Sequence, residues 1–282
     1  MHKKTLVFTD LDGTLLDHYT YQTDDATEMI ATLKSNDIAI IPNSSKTLPE
    51  ILLIRQQLDL HSPLIIENGA AVYIPVNYFK KQPAGTYLQD GFWVKSFCQH
   101  KDHWLALLNV HATSYHDLYQ GFTQLDATQL AELTGLNIES ATMAKQRQYG
   151  EPLNWLGNES QQIAFIKHMK ALGANVLQGG RFLHISGHCD KGQAQQWLAE
   201  QYLKQPSPQY AHENEQVVSI ALGDGKNDIA MLEQATIAVQ VRSPVHDFPQ
   251  LTRTDNVYQS RAYGPAGWAE CLKEILSSKL IC

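Results

Sequence analysis

Apolar residues in this chain fall into short runs that alternate with stretches of helical period. Thr5 to Thr9 is a β-rich run that breaks off at Asp10-Leu11-Asp12-Gly13-Thr14, as a buried strand does when it delivers its last residues to a surface loop. From Asp24 to Asn36, Ala26, Met29, Ile30 and Leu33 recur at helical spacing, with Thr23 as the expected N-cap. Ile38 to Ile41 reads as a second buried strand ending near Asn43-Ser44-Ser45-Lys46. The next helix opens with Thr47 as cap, Pro49 in its first turn and Glu50 as capping-box partner. Leu64 to Ile66 reads as a third strand, before Glu67-Asn68-Gly69-Ala70.

Strand, helix, strand, helix, strand predicts an α/β fold with a doubly wound parallel sheet, whose ligands lie beyond the carboxyl ends of the strands. Around Pro83 to Gly85 the rhythm changes, and a longer helical pattern appears from Gln161 to Leu172. From Lys191 the alternation resumes. A helix runs through Ala194, Trp197, Leu198 and Tyr202, a linker holds Pro206, Ser207 and Pro208, and a strand runs from Val217 to Leu222 into Gly223-Asp224-Gly225-Lys226-Asn227-Asp228. The expectation is a discontinuous core of residues 1–83 and 189–282, interrupted by a smaller α+β domain at 84–188.

Composition narrows the class. The 282 residues are 43% apolar and 18% charged, enough to bury a sizeable core. A net charge of -7, with no run of like charges, argues against nucleic acid as a partner. Cys98, Cys189, Cys271 and Cys282 form no C-x-x-C pair, which predicts reduced thiols rather than a disulfide framework or a zinc site. The apolar start is broken at Asp10 and Asp12, too early for a signal-peptide core, and no run approaches a membrane span. A cytoplasmic monomer or small homo-oligomer without a membrane partner is expected.

Two carboxylates at i and i+2 after a buried strand can turn toward one cation. A distant Gly-Asp-Gly-x-Asn-Asp after another buried strand can reach the same edge. Magnesium takes oxygen ligands in octahedral geometry and keeps several waters. That suits Asp10, the Asp12 backbone carbonyl, Asp224 and a substrate oxygen.

Asp10-Leu11-Asp12-Gly13-Thr14, Ser44, Lys191 and Gly223-Asp224-Gly225-x-Asn227-Asp228 resemble, in order and spacing, the four motifs of the haloacid dehalogenase superfamily of phosphatases. The insertion between the second and third motifs resembles the type IIB α/β cap that closes over the site. The resemblance implies a magnesium-dependent phosphatase in which Asp10 attacks phosphorus and Asp12 protonates the leaving oxygen and then activates water. Ser44 would hold a phosphoryl oxygen, Lys191 would offset charge, and Asp224 with Asp228 would complete the metal site.

Within the superfamily the chain is similar to mannosyl-3-phosphoglycerate phosphatases. The likeness rests on Ser44-Ser45-Lys46-Thr47, Glu67-Asn68-Gly69-Ala70, Arg147-Gln148-Tyr149-Gly150-Glu151-Pro152, Gly179-Gly180-Arg181-Phe182-x-His184 and Asp190-Lys191-Gly192. It departs at Gly150, where Ser is common, and at Asn43, where a small or apolar residue is more usual. A substrate with carboxylate, phosphate and sugar asks for cationic forks and hydroxyl readers. Arg147 and Arg181 suit the anions, and Glu151 and His184 suit either the sugar hydroxyls or the positioning of the cap, with Ser45, Lys46, Glu67, Asn68 and Asn227 as further substrate contacts. The competing expectations are a broad sugar-phosphate phosphatase, a phosphosugar mutase and a phosphosugar-binding protein without turnover.

Overall fold

The computed structural model describes residues 3–178, 181–204 and 216–278. Strand β1 (Lys3–Thr9) is followed by a short 3-10 turn over Asp24–Ala26 and helix α1 (Thr27–Ser35). Thr23 makes no side-chain cap there, because the 3-10 turn stands between it and the helix. Strand β2 (Ala39–Pro42) leads to α2 (Leu48–Gln57), where both halves of the expected capping box form. The Thr47 N–H and hydroxyl donate to Glu50 Oε2 at 2.8 and 2.6 Å, a cap of the kind worth about 1 kcal/mol.

Next come β3 (Leu64–Ile66), β4 (Ala71–Pro75), β5 (Tyr87–Gln89) and β6 (Phe92–Ser96). Helix α3 (Lys101–His111), β7 (Tyr119–Gly121), α4 (Ala127–Thr134), α5 (Ile138–Ala144) and β8 (Glu151–Trp155) follow. Then come α6 (Glu159–Ala171), β9 (Asn175–Gln178), β10 (Leu183–Ser186) and α7 (Lys191–Lys204). The chain ends with β11 (Gln216–Gly223), α8 (Ile229–Gln234), β12 (Ile237–Arg242), β13 (Val257–Tyr263) and α9 (Gly264–Ser277). The predicted linker at Pro206 to Pro208, and Cys282, lie outside the described residues; Cys98, Cys189 and Cys271 are free thiols.

The central sheet runs β13-β12-β11-β1-β2, all parallel. Leu6, Val7 and Phe8 have no exposed surface, each worth about 1.5–3 kcal/mol of burial, which explains why β1 reads as a continuous apolar run. The predicted third parallel strand does not join this sheet. β3 pairs antiparallel with β4 in a second sheet, β3-β4-β6-β5, and meets the segment after β2 through a parallel Asn43–Ile65 bridge. An apolar run of three residues states that a strand is buried but not which neighbour it pairs with.

Two compact units result. The first holds residues 1–45, 59–95 and 190–282; the second holds 46–58 and 96–189. Residues 84–95 thus stay with the first unit, because β5 and β6 complete its second sheet. In the second unit the antiparallel sheet β7-β8-β10-β9 carries α3 and α6 on one face, where Trp104, Leu108, Leu153, Phe165, Met169 and Ile185 form the core. The α/β class with an inserted α+β domain is therefore the observed architecture. No helix among the described residues is long and apolar enough to cross a membrane.

Candidate functional site

Strand register brings the sequence motifs together. Thr9 on β1 lies opposite Leu222 on β11 and Pro42 on β2, so the residues that follow each strand emerge at one sheet edge. Hydrogen bonds extend the ladder one step: the Asp10 N–H donates to the Leu222 carbonyl at 2.9 Å and the Asn43 N–H to the Thr9 carbonyl at 2.8 Å. From α9, the Trp268 indole donates to Thr9 Oγ1 at 3.0 Å, and that hydroxyl donates to the Asp10 carbonyl at 2.6 Å. The backbone carrying Asp10 is held from three sides.

The side chains of Asp10, Asp224 and Asp228 each offer an oxygen, and these lie within 4.8 Å of one another. Lys191, at the start of α7, is wholly buried and donates to Asp10 Oδ1 at 2.5 Å and to Asp228 Oδ1 at 2.6 Å. Asp228 Oδ2 accepts from the Asp224 and Gly225 N–H groups at 3.0 and 2.9 Å, so this carboxylate both grips the lysine and shapes the loop after β11. The second oxygen of Asp10 takes no hydrogen bond from the described residues. Thr14 donates to Asp224 Oδ1 at 3.3 Å.

Gly13, in a left-handed conformation at φ 77°, admits Asp224 to the loop: a Cβ there would stand 2.7 Å from Asp224 Oδ2. Asp12 is half-buried, bridges to Leu16 in that loop and lies close enough to Asp10 to raise its pKa. Its carboxylate is not among the three grouped oxygens, which leaves the backbone carbonyl as its expected metal contact.

Charge at this edge is out of balance. Burial, with Asp228, Asp12 and Asp224 nearby, pushes Asp10 well above the ordinary carboxylate range against the pull of Lys191. Burial and Asp228 push Asp224 upward, with His246, Lys191 and Thr14 opposing. Burial disfavours the Lys191 ammonium, yet its two carboxylate partners more than offset this and shift its pKa upward. Three buried carboxylates facing one ammonium, with oxygen donors only, fit a hard divalent cation of the magnesium type.

The remaining sequence candidates divide in two. In the first unit, Ser44 is fully buried at the end of β2; its N–H donates to the Ile65 carbonyl and its own carbonyl accepts from the Asn68 N–H. Half-buried Ser45 follows it. Glu67 is buried and, like Asn68, sits in the left-handed region, at φ 47° and 60°; such strain costs roughly 1–3 kcal/mol and clusters at functional loops. Asn68 Oδ1 accepts from the Asn227 amide at 3.1 Å, joining the loops after β3 and β11. Asn43 donates to the Lys191 carbonyl at 3.0 Å and so positions the lysine backbone.

In the second unit, Lys46 pairs with Glu50 at 3.7 Å. Arg147 is near enough to His184 and Glu151 to act on both: burial first and Arg147 second push His184 down to about 4. Glu151 lies opposite Ile185 in the ladder, on the helix-covered face, whereas His184 lies opposite Pro152 on the other face. Both Glu151 oxygens are engaged, by the Thr123 N–H at 2.8 Å and its hydroxyl at 2.9 Å, beside a cavity of about 150 Å³ lined also by Leu105 and Leu108 of α3. These contacts fit the cap-positioning alternative for Glu151. Arg181 is exposed and donates to the Leu133 carbonyl at 3.2 Å; Gly179 and Gly180 lie outside the described residues.

One neighbour of the carboxylates had no signal in the sequence. His246, in the loop after β12, brings Nε2 to 3.4 Å from Asp224 Oδ2. No spacing pattern ties it to the acidic motifs.

Comparison with known proteins agrees with this edge. Residues 7–246 match the family model of haloacid dehalogenase-like hydrolases. The chain is 33% identical over 273 residues to the glucosyl-3-phosphoglycerate/mannosyl-3-phosphoglycerate phosphatase of Methanococcoides burtonii, covering 97% of each. The fold is similar to the sucrose-phosphatase of Synechocystis sp. PCC6803 in complex with sucrose and phosphate, with TM-score 0.56 and 15% identity over 96% of this chain and 98% of that one. It is also similar to the haloacid dehalogenase subclass IIB sugar phosphatase BT4131, with TM-score 0.59 and 13% identity over 96% and 98%. By sequence, and with a fold in agreement, this chain belongs to the haloacid dehalogenase-like hydrolases.

Proposed function

We propose that the chain is a magnesium-dependent phosphomonoester hydrolase acting through an aspartyl-phosphate, with mannosyl-3-phosphoglycerate as substrate and mannosylglycerate and phosphate as products. The observation that carries the reading is Asp10, with one oxygen on the Lys191 ammonium and the other without a hydrogen bond from the described residues, at the edge of a buried carboxylate group. The identity to a phosphatase named for glycosylated 3-phosphoglycerates supports the substrate class.

In the reaction, the unbonded Asp10 oxygen attacks phosphorus while the ester oxygen departs as an alcohol, taking a proton from Asp12. Asp12 then removes a proton from water, which cleaves the aspartyl-phosphate and returns Asp10. Lys191 lowers the cost of ionising Asp10 and screens it from the phosphate dianion. Magnesium, held by Asp10, the Asp12 carbonyl and Asp224 with Asp228 behind them, would add positive charge against the phosphoryl oxygens. Ser44 is assigned a phosphoryl oxygen. Selection of the ester is assigned to the inserted unit, through Arg147, Arg181 and His184.

Phosphate release over a panel of sugar phosphates and hexosyl-3-phosphoglycerates, with and without magnesium, tests this. Magnesium-dependent release, greatest from mannosyl-3-phosphoglycerate, is expected. Conversion of one phosphorylated isomer into another without net phosphate would replace the hydrolase with a mutase, and inertness toward every ester would leave only binding.

A further inference from the structure

The first unit carries a cleft that the hydrolytic motifs do not use. It encloses about 730 Å³ between the end of β12, the loop that follows it and the end of β13, with Arg242, Ser243, His246, Asp247 and Tyr263 among its lining residues. One contact places it beside the carboxylate group. His246 reaches Asp224 Oδ2 from its wall at 3.4 Å. Next to Tyr263 in the chain, Gly264 packs against the loop after β1: a Cβ there would stand 3.7 Å from Asp17 Cα and 3.9 Å from the Gly13 carbonyl oxygen. The cleft therefore adjoins the carboxylate group through His246, one of its lining residues.

Arg242 is the cation of this cleft. Its register with Tyr263 follows a shift between Gln240 and Arg242, and the guanidinium lies 5.2 Å from the Tyr263 ring centroid. Ser260 accepts only its backbone N–H, at 2.8 Å. The guanidinium has no hydrogen-bond or ion-pair partner among the described residues, unlike Arg253, whose side chain donates to four backbone carbonyls, and Arg261, which pairs with Glu270 at 2.7 Å. An aromatic face under a guanidinium leaves its planar donor edge available for a carboxylate. Asp247, the acidic residue of the lining, holds His246 by its backbone carbonyl at 3.1 Å from Nδ1.

We infer that Arg242 receives the substrate carboxylate in this cleft while the phosphate lies at Asp10. The inference rests on the phosphatase reading and sharpens it by putting one anion-specific contact in the hydrolytic unit itself.

The test compares wild type, Arg242→Gln and Arg242→Lys on mannosyl-3-phosphoglycerate, mannose 6-phosphate and p-nitrophenyl phosphate, with thermal melting as the control for folding. Arg242→Gln is expected to raise KM for the carboxylate-bearing ester about 10-fold or more, as loss of a charge-assisted hydrogen bond does, with kcat within about twofold. Arg242→Lys should recover part of that loss, and both phosphates without a carboxylate should be unaffected. An unchanged KM for the acid, or an equal rise for all three esters, overturns the assignment. A wild type inert toward every ester would instead sink the phosphatase reading, and this inference with it.

Discussion

Each unit of the molecule buries a carboxylate site, and the two are solved in opposite ways. At the edge of the parallel sheet, Asp10 and Asp228 share one ammonium with Asp224 beside them, and Asp10 and Asp224 are pushed above their ordinary range. In the antiparallel sheet of the second unit, Glu151 stands alone but is met at both oxygens by Thr123. A buried carboxylate whose oxygens the fold satisfies needs no ligand. A group left short of positive charge is unfavourable until something positive arrives, which marks a site built for a ligand.

The largest effects should fall on the unsatisfied site. Asp10→Asn should reduce phosphate release to background, a fall of about 10⁴-fold or more, with melting temperature preserved. Asp12→Ala should leave slow turnover, down by ~10²–10⁴-fold, the usual worth of general acid–base help. Near-normal release by the Asn variant would end the nucleophile assignment, and equal residual rates in the two variants would erase the distinction between their roles.

Intermediate in size is a pH effect in the second unit. His184 is held neutral by burial and by Arg147, with its pKa lowered from 6.5 to about 4. The unfolded chain therefore binds a proton near pH 6.5 that the folded chain refuses. Stability present above pH 6.5 is lost as pH falls toward 4, by up to about 3 kcal/mol at 1.36 kcal/mol per unit. Denaturant melts at pH 7 and pH 5 should show a smaller difference for His184→Leu than for wild type. An identical difference in both would place His184 in solvent contact.

The smallest effect is expected at Glu151. Burial raises its pKa, so its contribution has the opposite sign: it is present below the unfolded value and fades as pH rises through the folded one. Glu151→Gln exchanges a costly buried charge for one weakened hydrogen bond, so stability at neutral pH should change by about 1 kcal/mol or less. Turnover and KM should stay within about twofold. A large rise in KM with unchanged melting would show that Glu151 meets the substrate after all, and the contrast between the two sites would fail.

Legibility in the sequence followed the range of the interaction. The capping box at Thr47 and Glu50 was readable because its partners are three residues apart. β1 and β11 were readable because strands covered on both faces must be continuously apolar. Thr23 failed as a cap because an intervening 3-10 turn leaves no sequence mark, and β3 was assigned to the wrong sheet because three apolar residues carry no record of their partner. The face of β8 that Glu151 occupies was not readable, because one strand read alone does not label its faces.

By itself the chain determined its parts: buried strands that stop at acidic loops, a lysine opening a helix, and enough motif order to identify its relatives. Those properties are local, set by burial period and turn chemistry over a few residues. Only the tertiary structure decided that Lys191 bridges Asp10 and Asp228, that His246 reaches Asp224, and that Arg242 faces an open cleft with a ring beneath it. Those distances depend on strand register and on loops meeting from segments far apart, and the energy of such contacts exists only once the whole sheet has formed.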